Sequence, residues 1–307
     1  MQIAIIFSII LTGFTAMVSQ IVFMRELLIV FYGNELSIAF ILASWLIGGA
    51  IGASLLGGLA DKIKAKISVF SLCQLALAVA IPSNILAIRS IKAALKMNPG
   101  EIMPFFPMAI SSFVILAPVC VVLGFAFSLA CRIHKEGEGA GAVNIGTVYV
   151  LESVGAMAGG LAASFVLIRL FGSFQIAAIL GILLSIAAAW LVYSSRGAKA
   201  RAVLLAACMA IALVALGTWS CNGLHALDGR SLARQWRGYE LIASKNSIYG
   251  NIAVARNASQ YSFFDNGLHL YTVPDKQTAE EAVHFALLEH PDPKTVLLIG
   301  GGVGGLH

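Results

Sequence analysis

Seven apolar stretches succeed one another along most of this chain, and they limit its fold more than any other feature. They are Ile3–Met24, Leu36–Ala60, Ile67–Ile88, Phe105–Ala130, Val143–Ile168, Phe174–Tyr193 and Ala202–Ser220. About 20 apolar residues suffice to carry a helix across a bilayer. Together the stretches hold a single charged side chain, Glu152, although the 307 residues include 20 Lys and Arg and 15 Asp and Glu. The other charges fall between the stretches or in a tail that begins near Cys221. With 59% apolar and 11% charged residues, a single water-soluble globule is excluded, as are disordered and collagen-like classes. The net charge of +5 does not point to nucleic acid, because basic excess in so apolar a chain belongs to loops flanking membrane spans. The bilayer is the expected partner.

The composition divides the chain into a helical membrane part, residues 1–221, and a tail of ordinary charge density. The first stretch lacks a basic leading segment and is longer than the apolar core of a signal peptide, so it reads as a retained helix. Loops on the amino-terminal side carry Lys62, Lys64, Lys66, Arg132, Lys135, Arg196, Lys199 and Arg201; the opposite loops carry Arg25, Arg89, Lys92, Lys96 and Arg169. That balance puts the N-terminus in the cytoplasm and, with an odd number of spans, the tail outside. Use of a cytosolic nucleotide metabolite would require the tail inside, and our reading takes it as cytoplasmic in a bacterial inner membrane. The five cysteines form no CxxC pair, so neither a disulfide framework nor a metal site is expected.

Within the membrane part, Gly48 and Gly52, then Gly49, Ala53 and Gly57, and again Gly155 and Gly159 repeat at four-residue spacing. Such positions let helix backbones approach closely in lipid. Glu152 lies on the helical face of Tyr149, Gly155 and Gly159. A carboxylate there is costly, so it should face the bundle interior or a wet cavity, either as a proton- or cation-binding group or as a protonated side chain bonded to a neighbouring helix. Arg25 and Glu26, at the end of the first stretch, read as interfacial anchors or an ion pair.

The tail changes period after Tyr239. Tyr249–Arg256 and Gln260–Phe264 are rich in strand formers, and Asn266-Gly267 supplies the positive φ angles of a type I′ turn leading into Leu268–Val273. Thr278 to Glu281 fits a capping box opening a helix to His290, where Pro291 and Pro293 stop it. Residues 222–290 therefore read as a linker and a small β-hairpin domain with a helix. Lys294–Ile299 reads as a short strand entering Gly300, Gly301, Gly302, Val303, Gly304 and Gly305. Glycines 300, 302 and 305 satisfy GxGxxG directly after a strand, the setting in which backbone approaches a nucleotide without Cβ interference. Residues 291–307 then read as the start of a Rossmann-like α/β domain, of which the remaining βα units would lie further on.

These motifs resemble the spermidine synthase (polyamine aminopropyltransferase) family. SIYGNIAV, DNGLH, AEEAVHFALLEHP and DPKTVLLIGGGVGG in the tail carry the resemblance. In the helical part MRELLIVFYGNELS (24–37), WLIGGAIGAS (45–54) and YVLESVGAMAGG (149–160) resemble bacterial membrane-fused spermidine synthase-like proteins. The chain departs from the family's D/N-G-x-x-Q hairpin in carrying His269 and no Gln, and Val303 replaces an Asp of the glycine run. The resemblance implies a polytopic helical bundle followed by a small β-domain and a methyltransferase-type fold. It further implies decarboxylated S-adenosylmethionine or S-adenosylmethionine bound by Gly300, Gly301, Gly302, Gly304 and Gly305, with no metal. The family's catalytic Asp would lie beyond residue 307.

Transfer from a sulfonium donor asks the protein to position and deprotonate an amine or polyamine. Asp265, His269, Asp275, Glu280, Glu281 and His284 are the candidates; His134, His225 and His290 read as structural. The expected activity is aminopropyl or related alkyl transfer to an amine, with methyl transfer as a variant on the same loop. A second reading is a transporter of polyamines or other cations past Glu152, with a non-catalytic regulatory tail. Small-residue faces suit a compact bundle, and a homo-oligomer is a further expectation.

Overall fold

The computed structural model describes residues 1–135, 141–195, 201–247, 250–297 and 299. Seven of its helices are long and apolar enough to cross a membrane. The first, α1, runs Gln2–Phe31. The second rod, Glu35–Lys62, consists of α2 (Glu35–Ile51), a π-turn at Gly52–Leu56, and α3 (Gly57–Lys62). Then come α4 (Lys66–Ala94), α5 (Phe105–Lys135), and α6 (Gly141–Ala162), which passes through a second π-turn at Ala163–Leu167 into α7 (Ile168–Leu170). Helices α8 (Ser173–Ser194) and α9 (Arg201–Ser220) complete the set.

Two helices reach further than the hydropathy pattern predicts. α1 continues past Met24 to Phe31, and α4 past Ile88 to Ala94. The added turns carry Arg25 and Glu26, and Arg89 and Lys92, which the sequence pattern alone assigns to interfaces or loops. Glu26, Arg89 and Lys92 are instead buried on helices that face one another. Charge need not end a helix whose backbone bonds are satisfied internally, provided the side chain finds a partner. At the end of α1, Tyr32 (φ 64°) and Gly33 (φ 63°) reverse the chain, and Asn34 caps α2 by accepting from the Ser37 N–H at 2.7 Å.

α1 is the central helix, packed against α4, α5, α6 and α8. Small residues bring its backbone against α6: a Cβ at Gly155 would strike the Ile10 carbonyl, and one at Gly13 the Glu152 carbonyl. The α2–α5 pair is built the same way, with Gly52 against the Val121 carbonyl and Gly124 against that of Gly49. At the first π-turn the Ala53 carbonyl accepts from Ser128 Oγ of α5 at 3.0 Å. The small-residue spacing thus marks two backbone-on-backbone seams. α9 is peripheral, resting on α8 and α4 with only Leu204 and Cys208 buried among its described residues.

The tail opens with α10 (Gly223–Gln235), which lies against α4, α8 and α9. A four-stranded antiparallel meander follows: β1 (Glu240–Asn246), β2 (Asn251–Asn257), β3 (Gln260–Asp265) and β4 (Leu268–Val273), in the order β1-β2-β3-β4. Asp265 pairs with Leu268 across Asn266 (φ 47°) and Gly267 (φ 80°), the tight turn expected of Asn-Gly. Trp236, Ala253, Ala255 and Phe264 form a small core with Tyr239 and Leu241 at its edge. Helix α11 (Lys276–Leu288) follows.

Three features of the tail differ from the sequence reading. α10 and β1 stand where a linker was expected. The cap of α11 lies three residues before the expected one, because Asp275 and not Thr278 supplies it. Finally, the described residues of Lys294–Ile299 pair with no strand, and Val296, Leu297 and Ile299 are exposed. An extended segment becomes a strand only through ladder partners. The glycine run, Gly300–Gly305, lies outside the described residues.

Candidate functional site

The richest polar arrangement lies where the bundle meets the sheet. Glu26 on α1 and Arg89 on α4 form a fork-on-fork pair, Arg89 Nε and Nη2 donating to the two carboxylate oxygens at 2.8 Å each. The side chains are 2% and 4% exposed, so the pair is desolvated and depends on its full set of bonds. Ser173, at the start of α8, donates its hydroxyl to Glu26 at 2.6 Å. The other guanidinium edge reaches the tail, where Arg89 Nη1 donates to Asp228 Oδ1 at 2.7 Å and to Ser231 Oγ at 2.8 Å, both on α10. The ring of Phe174 lies 5.1 Å from the guanidinium carbon. One arginine therefore joins α1, α4, α8 and α10.

Beside this network is a polar cavity of about 300 Å³ lined by Arg25, Glu26, Gly33, Ser173, Asn251 and Asn266 among others. Arg25 Nη2 donates to the Ser247 carbonyl at 2.6 Å, and Asn266 Oδ1 accepts from the Asn251 N–H at 3.0 Å. The hairpin turn itself rests on the end of α1: a Cβ on Gly267 would strike the Ile29 carbonyl. Glycine is thus required there twice, for its positive φ and for the close approach. Nearby, Lys92 donates to the Tyr32 hydroxyl and lies over its ring. Burial pushes the Tyr32 phenol above its ordinary value.

The sequence-predicted residues fall into two groups. Asp265 and His269 belong to the hairpin. His269 Nε2 lies 2.9 Å from Thr272 Oγ1, and its ring meets that of Phe264 edge-on at 5.4 Å. Asp275, Glu280, Glu281 and His284 belong to α11, which has no substantial packing against another described element. Asp275 accepts from the Thr278 N–H at 3.2 Å and from its hydroxyl at 2.7 Å, which holds its carboxyl below the ordinary value. Glu281 accepts from Gln277 at 3.1 Å. No hydrogen bond or ion pair joins hairpin to helix among the described residues. Gly300, Gly301, Gly302, Gly304 and Gly305 lie outside them.

Glu152 stands apart, on the far side of α1. Its backbone faces the α1 seam, while its side chain lines a cleft with Trp45, Gly49, Cys120, Phe127 and Tyr149. Sequence reasoning found this carboxylate but missed the Glu26–Arg89–Asp228 network. Its only signal was an Arg-Glu pair just past an apolar run, and nothing in the chain reports a partner 63 residues away.

Comparison with known proteins can now be set against this geometry. The polyamine aminopropyltransferase of Mycobacterium tuberculosis strain H37Rv is 29% identical over 191 residues, 60% of this chain. This chain is distantly related to the polyamine aminopropyltransferases. The protein of that name from Leptospira interrogans is 42% identical over 66 residues, 21% of this chain and 13% of its own length. The mycobacterial match covers 36% of that protein, so this chain spans about a third of its relative. It is also longer than the whole of residues 222–307, so the similarity includes part of the helical bundle. No family model matches the chain, and no solved structure does.

Proposed function

We propose that this chain belongs to a membrane-bound, spermidine synthase-like enzyme that binds an S-adenosyl compound and transfers an aminopropyl or related alkyl group to an amine. The observation that carries this reading is the 191-residue similarity to a polyamine aminopropyltransferase, which is too long to lie in the tail alone. In the reaction the amine nitrogen attacks the carbon next to the donor sulfonium. The C–S bond breaks, the thioether leaves, and the new ammonium gives up a proton. A sulfonium is already a good leaving group, so the protein's part is to position the amine and accept that proton. Decarboxylated S-adenosylmethionine is the donor of first choice, with S-adenosylmethionine as the methyl-transferring variant, and no metal is called for. Gly300, Gly301, Gly302, Gly304 and Gly305 would let backbone N–H groups approach the donor. Asp265, His269, Asp275, Glu281 and His284 are the residues offered to the amine or polyamine.

The proposed location is a bacterial inner membrane with the tail in the cytoplasm. α10 and the turn after it support that side, because they carry exposed Arg230, Arg234 and Arg237 within 20 residues of the last span. Exposed Cys221 provides the check: an impermeant maleimide should label it only after the cells are opened. The activity is tested on the full-length protein in proteoliposomes with decarboxylated S-adenosylmethionine and labelled 1,4-diaminobutane. Aminopropylated amine and methylthioadenosine should appear in equal amounts, and Gly302→Val should abolish both. Failure of the wild-type protein to form either product would overturn the reading.

A further inference from the structure

The bundle contains a second place at which a cation fits, and it is independent of the tail. The cleft beside Glu152 has a volume of about 430 Å³ and lies between α2, α5 and α6, with Ala16 of α1 at its base. Glu152 makes no hydrogen bond or ion pair among the described residues. The titratable groups with it in the cleft are Tyr149 and Cys120; Cys131 on α5 also feels its charge, and no Lys or Arg lines the cleft. A negative charge there would be uncompensated by any protein group that lines the cleft, in a stretch where an isolated carboxylate is costly.

The remaining walls specify the compensating group. Trp45, Phe127 and Tyr149 present aromatic rings, Leu46 and Leu123 are aliphatic, and Glu152 supplies the carboxylate oxygens. An inorganic cation such as Ca²⁺ asks for six or more oxygen ligands, which this lining does not offer. An ammonium group on a methylene chain needs one carboxylate, aromatic faces near the charge and apolar walls along the chain. The π-turn at Gly52–Leu56 contains the cleft residue Ala53. Such turns recur at functional sites in helices.

We infer that the Glu152 cleft is a binding site for the ammonium group of an aliphatic amine, separate from any amine site in the tail. The amine can come from a free solute or from a phosphatidylethanolamine headgroup, since Glu152 lies about two turns inside its span, which begins at Ile145.

The test uses the full chain in nanodiscs and reads residue 152 itself. Dicyclohexylcarbodiimide labels protonated carboxyls in apolar surroundings, and mass spectrometry of the peptide bearing Glu152 measures the extent. In phosphatidylcholine discs, labelling should fall at least tenfold as 1,4-diaminobutane is raised to saturation. Protection in phosphatidylethanolamine discs without added diamine would support the same site with the lipid as source. Labelling that neither amine reduces, or a Glu152 that is never labelled, would overturn the proposal. In a parallel arm, saturable diaminobutane binding should show a component at least tenfold weaker in Glu152→Gln, a variant of equal side-chain volume whose folding is checked by its unfolding midpoint. Unchanged binding in a folded variant would also refute it. Neither arm reads aminopropyl transfer, so failure here leaves the proposed activity untouched, and the reverse holds.

Discussion

Replacing Arg89 by Met should destabilise the protein more than any other single change at the junction. The substitution keeps an unbranched apolar stem while removing both guanidinium bonds to Glu26 and those to α10. Glu26, at 2% exposure, would retain only the Ser173 hydroxyl. Stripping one partner from a buried ion pair costs about 3–5 kcal/mol, because the remaining charge stays desolvated. At about 1.4 kcal/mol per factor of ten, the folding equilibrium should shift by roughly two to three and a half orders of magnitude. Asp228 is 35% exposed, and its share of the loss should stay below about 1 kcal/mol. The double variant Glu26→Gln, Arg89→Met leaves no buried charge and should recover most of the loss. The assay is denaturant unfolding in detergent micelles followed by tryptophan fluorescence. Trp219, 5.8 Å from Phe171, and Trp236 in the sheet core both report on this region. An Arg89→Met cost under about 1 kcal/mol, or a double variant no more stable than the single one, would show that the pair is not what holds this end together.

Three further outcomes are expected. Gly155→Leu should force α1 and α6 apart and cost about 1–3 kcal/mol as overpacking, whereas Gly58→Leu, which meets open space, should leave the unfolding midpoint unchanged. Trp236→Ala removes the largest member of the sheet core and should cost about 3–5 kcal/mol of sheet stability. Limited proteolysis should then cut the tail while the helical circular dichroism of the spans persists. The lowered pKa of Asp275 means that its cap stabilises α11 above the ordinary carboxyl value, about pH 4, and is lost as the pH falls through the folded value. Carboxyl NMR should find Asp275 titrating below the ordinary aspartate value, and Asp275→Ala should remove that contribution to the acid dependence of α11.

The spans were legible because apolar length is a one-dimensional property, and the hairpin because Asn266-Gly267 enforces its turn locally. The small-residue seams were legible as spacing, though which helices they join was not. What escaped were features that depend on distant partners. Arg89 looks like a loop charge until Glu26 is placed opposite it, and the ends of α1 and α4 were read short for that reason. β1, with the sequence ELIASKN, shows no clean alternation and is a strand because β2 pairs with it from Glu240↔Arg256 to Asn246↔Asn251. α10 reads as linker in the sequence because its polar residues include Asp228 and Ser231, the groups that grip Arg89. The cap of α11 was misplaced by one turn because Asp275 and Thr278 both suit the position, and only the backbone decides between them.

The passage from α9 to α10 consists of Cys221 and Asn222 alone. So short a join gives the tail no reach. α10 is 13 residues, about 20 Å, and the hairpin rests on the last turn of α1, so the tail works against the membrane surface and not in bulk solvent. Beside an anionic leaflet at about −30 mV, a trivalent amine is enriched roughly thirty-fold at the surface and a few-fold one Debye length, about 8 Å, further out. Lipid charge thus becomes a kinetic parameter for the proposed transfer. Added salt or neutral lipid would raise the apparent KM for a polyamine with kcat unmoved, and a monoamine would feel little of either.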